Sequence, residues 1–191
     1  MLNALRHPAL DGFMLAATDV KFWIPFYLWF IYVLFKKLDQ QAWLALICIA
    51  ITVLLSDQIT SHLLKPVVQR LRPSHEPALE NLVNLVTTSS GTLYKGGKFG
   101  FPSSHAANAF GVAFFLWMTL RKNYGWTWVT FLVASILAYT RIYLGVHYPI
   151  DLICGMLIGI AAAYISWLLF LRFQKKMIDL TKKSELNEVI N

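Results

Sequence analysis

Residues 141–173 read RIYLGVHYPIDLICGMLIGIAAAYISWLLFLRF, and their second part, residues 149–173, is apolar with charge only at its ends, Asp151 and Arg172. A bilayer is crossed by roughly 20 mostly apolar residues in helical form. Inside hydrocarbon every backbone polar group must find its partner within the segment, which makes that form an α-helix. Just ahead of the run stand Arg141 and His147. His147 and Asp151 are four apart, so a helix starting near His147 places them on one face. Pro149 falls in the first turn, where a helix tolerates it. Gly155 and Gly159 form a small-xxx-small pair at which two helix backbones can approach closely, either within one chain or as a seam between two copies in a homodimer.

Four further apolar segments precede this one, at residues 21–38, 42–64, 105–120 and 126–143. The expected fold class is therefore all-α, a polytopic membrane helix bundle of five to six transmembrane helices with an extracytoplasmic loop subdomain. Composition agrees. The 191 residues are 57% hydrophobic and 14% charged, against about 45–50% and 25% in soluble domains, and the mean hydropathy is +0.54. The net charge of +7 is expected to meet anionic headgroups and an anionic ligand, not nucleic acid. Cys48 and Cys154 lie inside apolar runs without metal-ligand spacing, and read as packing residues. Residues 1–19 carry no cleavable signal pattern, so the first spanning helix is expected to direct insertion.

The chain reads as one domain, 1–191. Residues 1–20 form an interfacial segment, with an interfacial helix or a re-entrant stub expected over 3–18. The transmembrane core is 21–173 with a loop at 66–103, and 174–191 is a cytoplasmic tail, polar and frayed over 179–191. With five spanning helices, Lys36, Lys37, Arg121, Lys122, Arg172, Lys175, Lys176, Lys182 and Lys183 share one side. The positive-inside rule makes it cytoplasmic, as in a bacterial inner membrane, and turns the motif loops outward. Lys65, Arg70, Arg72, Lys95, Lys98 and Arg141 break that bias, and an anionic ligand would explain why. Within the loop, Leu79, Leu82, Val83 and Val86 are spaced as a surface helix, and residues 91–100 read as a flexible, glycine-rich flap carrying Tyr94, or a solvated loop. Asp57, near the end of the second segment, is either an ion-pair partner for a motif cation or a functional carboxylate.

Three blocks carry chemistry. They are Lys65-x6-Arg72-Pro73, Pro102-Ser103-Ser104-His105 and Arg141-x5-His147-x3-Asp151. Phosphoryl transfer needs positioning and neutralisation of the equatorial oxygens, for which an arginine fork suits two oxygens at once. Taken alone, a terminal Lys or Arg is a snorkelling anchor, Ser103 an N-cap, and Asp151 a cap beside an incidental histidine. Taken together, they form a phosphate site. Arg72, Arg141 and Lys65 supply charge, and Ser103 and Ser104 open a helix whose free N–H groups attract an oxyanion without a metal. His105 at the rim can protonate a leaving oxygen. Asp151 can hold one nitrogen of His147 and leave the other to attack phosphorus.

These blocks resemble those of the type-2 phosphatidic acid phosphatase superfamily, which includes the vanadium haloperoxidases. The family pattern is Lys-x6-Arg-Pro, Pro-Ser-Gly-His and Ser-Arg-x5-His-x3-Asp. Here Ser104 stands in place of glycine and Thr140 in place of serine. The resemblance covers residues 55–171. It implies that His147 is a nucleophile forming a phosphohistidine, that Asp151 orients it and that His105 is the general acid. Lys65, Arg72, Ser103 and Arg141 are implied to bind phosphate, and Ser104 keeps the backbone N–H of that cradle. No metal and no cofactor are implied. The haloperoxidases are soluble, which this composition is not. The expected activity is hydrolysis of a lipid phosphate or diphosphate at the outer leaflet, with undecaprenyl diphosphate, phosphatidylglycerophosphate, phosphatidic acid and lipid A phosphate as candidates. The competing class is a non-catalytic protein that binds or translocates anionic lipid.

Overall fold

The computed structural model describes residue 3, residues 6–88 and residues 90–190, with the backbone course alone for 181–190. Among the described residues the ordered elements are helical, and β pairing is limited to the isolated bridges Leu71–Phe99 and Thr87–Leu93. Six helices carry the fold. They are α1 (Pro8–Thr18), α2 (Ile24–Leu38), α3 (Gln41–Val68), α4 (Ser104–Leu120), α5 (Val129–Tyr143) and α6 (Pro149–Ile190).

All five expected apolar segments are helical. Two helices, Gln41–Val68 and Pro149–Leu180, are long and apolar enough to cross a membrane alone. Pro8–Thr18 and Val20–Leu38 pass as a pair but are bent by 77°, so α1 turns away from the line of α2. At 17 and 15 residues, α4 and α5 rise about 25 and 22 Å, short of the roughly 30 Å core.

The centre of the bundle is a close contact of α4 with α6. A Cβ on Gly155 would run into the carbonyl of Ser103, and one on Gly159 into that of Ala107. The glycine pair is thus occupied within the chain. Towards the Lys36 and Arg121 end, Phe30, Leu34, Phe115, Leu120 and Phe170 fill the core between α2, α3, α4 and α6.

Near its end α3 widens into a π-helical run, Gln58–Leu64, before closing with Lys65–Val68. Pro66 has no N–H to give and its ring crowds the carbonyl four residues back, which a widened ladder relieves.

Three expectations are corrected. The apolar spacing over 79–86 does not make a surface helix; Pro77–Leu79 is a single 3-10 turn. Val86 is buried instead against Tyr143, Leu144 and Val146, and Asn84 N–H donates to Asn3 Oδ1 at 2.8 Å. Long-range packing overrides the local period here. Of the two readings of residues 91–100, the solvated loop is the one found: most of it is exposed, and it is tied down where Tyr94 N–H donates to Val86 O (2.8 Å) and Arg72 N–H to Lys98 O (3.1 Å). The tail is not frayed through its length, since α6 continues to Ile190; Asn191 lies outside the described residues. The N-terminal helix starts at Pro8, later than expected, with His7 Nδ1 accepting from Ala9 N–H.

Candidate active site

Four helix ends meet at one end of the bundle: the C-terminal ends of α3 and α5 and the N-terminal ends of α4 and α6. They carry the three sequence blocks to a common place.

The α5–α6 connection is a tight turn. Gly145 has φ +71°, a region that glycine enters freely, and its N–H donates to Ile142 O at 3.0 Å. The turn delivers His147 buried, 3% exposed, facing the start of α6. His147 Nδ1 lies 3.2 Å from Asp151 Oδ2, which also accepts from Tyr148 N–H at 2.9 Å. Asp151 is completely buried. Its Oδ1 is met by the guanidinium of Arg70, and its backbone carbonyl accepts from Ser103 N–H at 3.0 Å. That last bond ties the second block to the third. His147 Nε2 is buried with no hydrogen-bond partner.

Arg72, Arg141, His105 and Lys65 all lie within electrostatic reach of His147. Burial, then Arg72 and Arg141, push its pKa well below the ordinary 6.5, so the ring is neutral at pH 7. Arg72 is 7% exposed. Its Nε donates to Phe99 O at 3.2 Å, while one terminal nitrogen is buried without a partner. Burial, then Arg141, lowers its pKa to about 10, which leaves it charged. Glycine is required beside it: at Gly96 (φ +67°) a Cβ would lie 2.6 Å from an Arg72 terminal nitrogen. Arg141 is 2% exposed. It donates to Thr18 Oγ1 (2.7 Å) and to the Tyr94 hydroxyl (2.8 Å).

Ser103 caps α4, its Oγ accepting from Ala106 N–H at 3.4 Å. Ser104 Oγ turns towards α3, receiving Lys65 Nζ at 2.7 Å and Thr60 Oγ1 at 2.9 Å, with Ser61 Oγ at 2.8 Å. The side chain standing in the family's glycine position thus grips the lysine. Asp57 makes no direct ion pair with Lys65; its Oδ1 accepts from Ser61 Oγ (2.9 Å), which itself accepts from Lys65 (3.3 Å). His105 is exposed to a cavity of about 520 Å³ that it lines with Ser104, Asp57 and Asn108, and that continues along α4 to Leu116.

The sequence blocks are therefore brought together, and three residues that no motif position specifies join. Arg70 was noted in the sequence only as a cation on the unexpected side. Tyr94 was placed in a flap, and Thr18 carried no signal, because its role depends on α1 docking against α5. Chemically, the arrangement offers one unprotonated, oriented nitrogen facing fixed cations, with a second imidazole at the rim.

Residues 42–175 match the PAP2 superfamily. The chain belongs to that superfamily. It is 39% identical over 173 residues to the lipid A 4'-phosphatase of Bacteroides thetaiotaomicron, across 88% of this chain and 72% of that one. It is 34% identical over 171 residues to the lipid A 4'-phosphatase of Porphyromonas gingivalis, across 89% and 70%. The crystal structure of Aquifex aeolicus LpxE superposes with a TM-score of 0.57 at 27% identity, covering 86% of this chain and 89% of that one. As a PAP2 protein with membrane-spanning helices, the chain is an integral membrane hydrolase of the phosphatase type.

Proposed function

We propose that this protein removes a phosphate monoester from a membrane lipid, with a lipid A phosphate as first candidate, by way of a phosphohistidine. The observation that carries the reading is His147 Nε2. It is buried, unpartnered and neutral, with Nδ1 held by Asp151 and three cations around it. In the first step Nε2 attacks phosphorus, the bond from phosphorus to the ester oxygen breaks, and His105 gives that oxygen a proton. In the second, His105 takes a proton from water, the hydroxide attacks phosphorus, and the N–P bond breaks to release inorganic phosphate. Arg72, Arg141 and Lys65 neutralise the equatorial oxygens throughout.

The substrate choice rests on the two relatives named lipid A 4'-phosphatase and on the apolar cavity running from His105 into the bundle. That cavity suits an acyl chain entering sideways between helices. By the positive-inside rule the basic tail and helix ends support a cytoplasmic opposite side, and with it a site that faces outward from a bacterial inner membrane. Five helices then span, the short α4 and α5 being accommodated by their packing on α3 and α6, with α1 at the interface. The single-domain division of the chain, a core with its loop and tail, follows from the same reading.

The test is phosphate release from lipid A, phosphatidic acid, phosphatidylglycerophosphate and undecaprenyl diphosphate in EDTA, compared by kcat/KM. Turnover by the wild type and its loss by at least about 10³-fold in His147→Ala are expected. Lipid binding without turnover in the wild type would favour the carrier class instead.

A further inference from the structure

A buried carboxylate costs free energy unless each oxygen is paired. In Asp151, Oδ2 serves His147 and Tyr148 N–H, and Oδ1 is engaged by Arg70. Arg70 occupies one of the six unspecified positions inside the first block, yet it reaches the other two. Its guanidinium sits 4.7 Å from the ring centroid of Phe101, next to Pro102, and 5.1 Å from that of Tyr148, next to His147. Its backbone carbonyl accepts from Gly100 N–H at 2.9 Å. Its side chain remains 36% exposed on the aqueous side.

We propose that Arg70 is a positioning residue: by holding Asp151 Oδ1 it keeps that carboxylate ionised and its Oδ2 on His147 Nδ1–H, so that Nε2 is the attacking atom. This rests on the phosphohistidine reading above. An imidazole carries its proton on either nitrogen, and the partner of one decides the other. An isolated buried carboxylate would compete for the Nδ1 proton or capture one from water. A guanidinium on its far oxygen lowers that proton affinity. Two aromatic rings fix the planar group, a task for which the fork of arginine is suited. Lys65, Arg72 and Arg141 act on His147 and its surroundings directly, whereas the charge of Arg70 is committed to Asp151.

The test compares full-length wild type, Arg70→Gln and Arg70→Lys in detergent micelles, using dodecyl phosphate as substrate and vanadate as inhibitor. For Arg70→Gln, kcat falls on the order of 10–100-fold, while KM and the vanadate inhibition constant change by less than about threefold. The acidic limb of kcat/KM moves upward by about one pH unit, because losing the cation favours a proton on His147. The other groups facing His147, namely Asp151, Arg72, Arg141, His105 and Lys65, are unchanged in both variants. Arg70→Lys keeps the limb where the wild type has it. An unmoved limb in Arg70→Gln would reduce Arg70 to a structural brace and overturn the proposal. Vanadate binding lost in step with kcat would also overturn it, by showing that Arg70 grips the phosphoryl group. If Arg70→Gln does not fold, Arg70→Lys decides: a shifted limb there defeats the proposal. Activity surviving in His147→Ala defeats the phosphohistidine reading instead. The histidine 15N spectrum, assigned through His147→Ala, reports the Nδ1–H tautomer without any turnover.

Discussion

His147 Nε2 is buried without a partner, and an imidazole left so serves its fold poorly. The depressed pKa has two consequences with one sign. Protonation of His147 opposes folding, so its stability contribution is complete above about pH 6.5 and is lost as pH falls through the folded value. Protonation also removes the lone pair that the proposed attack on phosphorus uses. The pH profile of kcat/KM should therefore fall away on its acidic side, with a limb below about pH 6.5. A kcat/KM that rises as pH falls below about 6.5 would remove the nucleophile assignment. Lys65, Arg72, His105, Arg141 and Asp151 were all legible in the sequence because spacing alone singles them out. The direction of the Ser104 hydroxyl was not legible. It depends on how α3 and α4 pack, and it faces the lysine.

Between elements, the α4–α6 contact holds the second block against the third. Gly155 and Gly159 allow the two backbones to touch, and the Ser103–Asp151 backbone bond lies at the end of that contact. Gly159→Val should therefore cost about 1–3 kcal/mol or more through overpacking, read as a lower thermal midpoint in detergent. An unchanged midpoint, with activity retained, would show that the two helices are not in this contact. The glycine spacing was visible in the sequence, but whether it faced a helix of the same chain or a second copy was not. The same holds for the π-helical run of α3. In the sequence this stretch read only as the end of an apolar segment, and the packed structure shows that the widened turn brings Thr60 and Ser61 to Ser104.

For the molecule as a whole, an apolar cavity runs from the site into the helix bundle. Along α4 it extends from Ser104 to Leu116, about 18 Å of helix rise. Filling it midway with Val112→Trp should lower kcat/KM for long-chain substrates on the order of tenfold, since remote binding energy is lost. Hydrolysis of a short-chain phosphate ester should be nearly unchanged. Equal losses on both would show that the cavity does not hold the chain. Apolar run length and the three spaced blocks were enough to point to a membrane helix bundle and to the residues that meet at one of its ends, because bilayer thickness and charge impose patterns on neighbouring residues. The surface helix expected in the loop over the site did not form, since the order of residues 84–86 comes from Asn3 and Tyr143, far away in the chain. Arg70, Tyr94 and Thr18 likewise became part of the site only on folding. Their partners are set by which helices dock, and docking is a property of three-dimensional packing that no local period encodes.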